Sequence, residues 1–125
     1  MALELADARI ALVDNDPLTV DLVRNKLQEI NIKEIVGFHS LEDVWKSLCS
    51  DHFDAVVSEW RLSDGLGLTL LNRVRRHPDL SMLPFIAVTH EVRRMDFSIL
   101  SEYPCSGLVY KPFSHEEFGK CFHLL

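Results

Sequence analysis

The sequence predicts an α/β fold, a doubly wound parallel sheet of five strands with helices on both faces. Three observations carry that reading. Short apolar runs of strand length recur five times along the chain. Segments with apolar residues at helical spacing alternate with them. The links between the two kinds of segment are short, and alternating strands and helices on short links build parallel sheets covered on both sides.

Ile10-Ala11-Leu12-Val13 is the first apolar run. Asp16 before Pro17 has the form of an N-cap followed by proline at the first helical position. Val20, Val23, Leu27 and Ile30 then repeat with helical spacing. Ile35, Val36 and Phe38 support a second strand over Glu34 to Phe38, and Ser40 opens a helix with Leu41, Val44, Trp45 and Leu48 on one face. Ala55-Val56-Val57 is the central strand, running into Ser58, Glu59 and a Gly/Ser/Asp-rich loop. Leu70, Leu71 and Val74 mark the next helix, which should stop near His77-Pro78 because a residue before proline is pushed out of helical geometry. Gly65 and Gly67 read as turn punctuation.

Pro84 opens a fourth strand, Phe85-Ile86-Ala87-Val88-Thr89. A polar helix with Val92, Met95 and Ile99 inward is expected next, its end bracketed by Pro104 and Gly107. Leu108-Val109-Tyr110 is the last strand, running into Lys111-Pro112-Phe113. Ser114-His115-Glu116-Glu117 has capping-box spacing before a final helix bearing Phe118, Cys121, Phe122 and Leu125.

At 125 residues the chain is read as one domain, with a core over about residues 8–123. It stops inside or just after its last helix, as expected of a piece excised from a longer protein. A chain of 47% hydrophobic and 26% charged residues is an ordinary globular mix. The net charge of −6 argues against direct nucleic-acid binding, and Arg73/Arg75/Arg76 and Arg93/Arg94 read as solvated helix faces. Cys49, Cys105 and Cys121 have no C-x-x-C spacing and read as structural thiols in a reducing compartment. No apolar leader or run of spanning length argues for a membrane segment.

Ligands of open α/β sheets gather at the carboxyl ends of the strands. There the chain places Asp14 and Asn15 after the first strand, Glu59 after the third, Thr89 at the end of the fourth and Lys111 after the fifth. The runs Leu12-Val13-Asp14-Asn15-Asp16-Pro17, Val56-Val57-Ser58-Glu59-Trp60-Arg61-Leu62, Pro84-Phe85-Ile86-Ala87-Val88-Thr89 and Tyr110-Lys111-Pro112-Phe113 occur in order on this pattern. Together they resemble the receiver domain of two-component response regulators, of the type found in the chemotaxis regulator.

The resemblance implies a flavodoxin-like (βα)5 sandwich with strand order 2-1-3-4-5. It also implies a cytoplasmic phosphorylation switch. An aspartate after the third strand accepts a phosphoryl group from a sensor kinase, two acids after the first strand hold Mg²⁺, and a Thr or Ser and a Lys bind the phosphoryl oxygens. Asp14 matches the first acid, Thr89 the switch hydroxyl and Lys111 the lysine, whose step to Pro112 is typically cis in the family.

The chain departs from that pattern at the centre of the site. Glu59 stands at the phosphoacceptor position, Asn15 at the second acid, and Arg61 where a backbone carbonyl is supplied to the metal. Glutamate sets its carboxylate about 1.5 Å further out, and a misplacement of about 1 Å can cost 10²-fold in phosphoryl transfer. Asn15 removes a charged oxygen ligand that Mg²⁺ favours. Asp14 and Glu59 against Lys111, with Arg61 in reach, form a cluster that can be neutral without metal. Opposite charges about 4 Å apart near a protein surface attract by roughly 4 kcal/mol before desolvation. Asp16 is a substitute metal ligand only if it is released from its cap.

The expectation is a non-enzymatic pseudo-receiver with a degenerate pocket of Glu59, Asp14, Asn15, Thr89, Lys111 and Arg61. No resident cofactor is expected. Mg²⁺ binding, with Asp14 and Glu59 as its carboxylates, is expected to be weakened or absent, and a sensor kinase is doubtful as a partner. The expected partner is a protein or a second copy, met through the face of the fourth helix, fifth strand and fifth helix. Val92, Arg93, Arg94, Phe97, Tyr103 and Tyr110 are its candidates. The alternative is a working Mg²⁺-dependent phosphoacceptor. A hydrolase built on Ser58 lacks the Gly-x-Ser-x-Gly elbow. A flavin protein lacks a phosphate cradle after the first strand.

Overall fold

The computed structural model describes residues 4–89, 98, 100–104, 106–111 and 115–121. After a short 3-10 turn (Leu5–Asp7), the main sheet is built from β1 (Arg9–Val13), β2 (Glu34–Phe38), β3 (Ala55–Glu59), β6 (Phe85–Thr89) and β7 (Ser106–Tyr110). Their order in space is β2-β1-β3-β6-β7 and every pairing is parallel, the expected 2-1-3-4-5 arrangement. Between strands run α1 (Pro17–Glu29), α2 (Leu41–Ser50) and α3 (Gly67–Arg76), and a C-terminal helix covers His115–Cys121.

Alternation along the strands divides the core into two layers. Ala11, Val13, Val56, Phe85 and Ala87 point to one side, where Leu41, Val44 and Leu48 of α2 and Leu70, Leu71 and Val74 of α3 cover them. Ile10, Leu12, Ala55, Val57, Ile86 and Val88 point to the other, against Val20, Val23 and Leu27 of α1. Burying one such side chain contributes about 1.5–3 kcal/mol, so both faces of the sheet are held by their helices.

The helix ends follow local chemistry. Asp16 accepts from Leu18 N, with Pro17 at the first turn of α1. At the other end Asn31 takes a positive φ of 71°, a left-handed position that asparagine tolerates. Ser40 caps α2 by accepting from Asp43 N. Helix α3 ends at Arg76, one residue before His77-Pro78.

Two features differ from expectation. The loop after β3 contains a small antiparallel hairpin, β4 (Arg61–Leu62) with β5 (Gly65–Leu66), too short to leave a strand pattern in sequence. Gly107 belongs to β7 and does not close the preceding helix. Cys49 is exposed and outside the core. Ser98, Leu100 and Ser101 are helical and Leu100 is buried. The expectations for Val92, Arg93, Arg94, Met95, Phe97, Ile99, Cys105, Pro112, Phe113, Ser114, Phe122 and Leu125 lie outside the described residues. So do the side chains of Phe118 and Cys121. No helix among the described residues is long and apolar enough to cross a membrane.

Candidate functional site

Strand register brings the site together. Val13 pairs with Ser58, so Asp14 emerges beside Glu59. Glu59 pairs with Val88, and Thr89 with Tyr110, so Thr89 and Lys111 follow at the same edge. Backbone bonds continue the ladder past the strand ends: Asp14 N to Phe38 O, Trp60 N to Val88 O and Lys111 N to Thr89 O. The side chains are therefore carried on fixed main chain.

Lys111 Nζ donates to Glu59 Oε2 at 2.6 Å and to Asp14 Oδ2 at 3.0 Å. The three side chains are nearly closed to solvent, at 9% exposure for Lys111, 11% for Glu59 and 10% for Asp14. Burial pushes the Lys111 ammonium down, but its hydrogen bonds to Glu59 and Asp14, with the charge of both, outweigh burial and hold it above its ordinary value. Glu59 is thereby held in a nearly buried ion contact.

The cluster lines a cavity of about 380 Å³ with Asp16, Thr19, Arg61 and Thr89. Thr89 is buried. Arg61 is exposed on β4, and its backbone N–H donates to Glu59 Oε1 at 3.4 Å. Thr19 was not anticipated; its hydroxyl donates to Asp16 Oδ2, so Asp16 keeps both oxygens on the start of α1. Ser58 is fully buried and its hydroxyl donates to Glu59 O, which leaves no free nucleophile there.

Asn15 is the correction. It does not line the cavity. Its amide donates to His39 O at 2.7 Å and accepts from Ser63 N at 2.5 Å. Sequence reasoning assigned it by its place beside Asp14, but its bonds to the loops after β2 and β3 turn the amide away from the cavity.

Gly67 supports the site from behind. A Cβ there would lie 3.0 Å from Glu59 O and from Trp60 Cε3, so any larger residue would crowd the start of α3 against the end of β3.

Mg²⁺ requires near-octahedral oxygen ligands. Asp14 Oδ1 accepts from Asp16 N and Oδ2 from Lys111, while Glu59 Oε2 is held by Lys111. Among the described residues no group of three or more His, Cys, Asp or Glu is arranged to hold a metal ion. As arranged, these residues do not fit the ion: an ammonium lies between the two carboxylates that would bind it.

Comparison with known proteins gives the relatives of this arrangement. The response regulator receiver domain profile matches residues 10–122. Chemotaxis protein CheY of Pseudomonas aeruginosa is 26% identical over 106 residues, covering 85% of this chain and 86% of the relative. CheY-3 of Vibrio cholerae is 25% identical over 127 residues, covering 94% and 93%. Among solved structures, a putative response regulator from Chloroflexus aurantiacus superposes with a TM-score of 0.84 at 22% identity, covering 94% of this chain and 96% of its own. The receiver domain of a sensor histidine kinase from Pseudomonas aeruginosa, solved with magnesium coordinated in its active-site cleft, gives 0.78 at 18% identity, covering 90% and 92%. At these identities the superpositions speak to the fold.

Proposed function

The chain belongs to the response regulator receiver domain family, and from that premise we propose that it is a pseudo-receiver, a signalling domain in which a fixed ion cluster takes the place of phosphoryl transfer. The observation that carries this reading is the Lys111 ammonium hydrogen-bonded to both Glu59 and Asp14. In the family the corresponding lysine meets a phosphoryl oxygen. Here the longer Glu59 side chain already delivers an anionic oxygen to it, with no donor kinase and no metal. The domain then holds one state and acts by contact with a protein partner or a second copy in the cytoplasm, without enzymatic turnover. Of the candidates for that face, two are described: Tyr110 is half exposed on β7, and Tyr103 is partly buried with its hydroxyl donating to Asn72 Oδ1.

The test is incubation with Mg²⁺ and acetyl phosphate, followed by intact-mass measurement. No gain of mass is expected. A stoichiometric gain of one phosphoryl group would establish the working phosphoacceptor instead.

A further inference from the structure

The Asn15 amide makes one bond to each of two different loops. Nδ2 donates to His39 O after β2, and Oδ1 accepts from Ser63 N in the turn between β4 and β5. His39 Nδ1 lies 3.3 Å from Asp14 O, closing the same junction. The neighbouring Asp64 accepts from Leu41 N at 2.9 Å and from Glu42 N at 3.2 Å, so the hairpin turn also caps α2. The loops after β1, β2 and β3 are thus tied by one amide and one carboxylate. An amide can donate to a carbonyl while accepting from an N–H; a carboxylate of the same shape offers acceptors only and would set an anionic oxygen against His39 O.

We propose that Asn15 is a positioning residue, the pin of a polar latch that holds the β4–β5 hairpin, and Arg61 with it, at one side of the cleft. The latch lies outside the ion cluster and does not depend on the functional reading above. Because Ser63 and Asp64 are adjacent in the chain, release of one end loosens the other, and the coupling runs both ways.

Amide hydrogen exchange followed by NMR on the whole chain tests this. In Asn15→Ala the Ser63 amide should exchange about tenfold faster, the scale of one net hydrogen bond. The Leu41 and Glu42 amides should speed up as well, although Asn15 touches neither, while Ala11 and Leu12 in β1 stay unchanged. Acceleration confined to Ser63, or none, overturns the latch. If Asn15→Ala also opens β1, Asp64→Ala decides: faster exchange at Ser63 supports the latch and unchanged exchange rejects it. A phosphoryl gain in the mass experiment would remove the pseudo-receiver reading and leave this result intact, so the two fail separately.

Discussion

Lys111 Nζ lies 2.6 Å from Glu59 Oε2, shorter than its 3.0 Å bond to Asp14 Oδ2. Glu59 is therefore the nearer partner of the lysine. Three nearly buried charges share this contact, two negative and one positive, with the exposed Arg61 at the cavity wall. Removing a single member leaves another desolvated without its partner, and that asymmetry sets the expected effects of mutation.

Lys111→Met tests the cation. The substitution preserves the length and apolar stem but leaves Asp14 and Glu59 facing each other with no positive charge between them. Loss of one partner of a buried pair costs about 3–5 kcal/mol, and the edge position of this cluster favours the lower end. Urea unfolding should show a midpoint lowered by about 3 kcal/mol at an unchanged slope. Glu59→Gln should cost less, about 1 kcal/mol, because its amide oxygen still accepts from Lys111 and Asp14 keeps the charge. Equal effects from the two changes would mean that the cluster is not organised around the lysine.

The lysine also fixes a pH window. Its folded value is raised above the ordinary 10.5 by Glu59 and Asp14, against burial. A raised value means that the folded state holds the proton more tightly than the unfolded chain. The stabilisation is therefore complete below about pH 10.5 and is lost as pH rises through the folded value. The stability difference between wild type and Lys111→Met should stay flat from pH 7 to about 10 and shrink above that. A difference that shrinks between pH 7 and 9 would contradict this assignment.

Much of this was legible in the sequence because it depends on local pattern. The five strands and the convergence of Asp14, Glu59, Thr89 and Lys111 follow from apolar runs of matched length, since each site residue is the last of its strand or the first after it, whereas the strand order came only with the family resemblance. The Asp16 and Ser40 caps were readable for the same local reason. The Asn15 contacts and the Asp64 cap were not. They join residues 48 and 23 positions apart in the chain, and the direction of a side chain leaving a strand depends on backbone angles that no periodicity encodes. The β4–β5 hairpin was hidden because two-residue strands carry no alternation.

Gly67 offers a test of packing behind the site. A Cβ would meet Glu59 O and Trp60 Cε3 at 3.0 Å and Trp60 Cα at 3.1 Å, and backbone atoms do not retreat cheaply. Gly67→Ala should lower stability by about 1–3 kcal/mol despite alanine's better helix propensity. Gly119, in the C-terminal helix, has nothing within 4 Å of its added Cβ, so Gly119→Ala should stabilise by about 0.5–1 kcal/mol. Calorimetric melting of the pair separates crowding from helix propensity. Equal gains in both would show that α3 can move away from β3.

Magnesium titration probes the exchange of ion for ammonium directly. Trp60 is buried immediately after Glu59, and Trp45 of α2 is the second tryptophan in the chain, so a Trp45→Phe background isolates the reporter. In the chain as it stands, Lys111 occupies both carboxylates, and millimolar Mg²⁺ should give no saturable change in Trp60 fluorescence. The Glu59→Asp/Asn15→Asp double substitution changes two terms. The shorter side chain draws its carboxylate back by about 1.5 Å, which breaks the 2.6 Å contact with Lys111. The acid at position 15 adds a third negative charge against one lysine and supplies a hard oxygen donor once it leaves the His39 carbonyl. Saturable quenching in the millimolar range is expected in the double variant alone. Saturable quenching of the unsubstituted site would show that Mg²⁺ displaces the ammonium, and the fixed ion cluster would no longer account for Glu59.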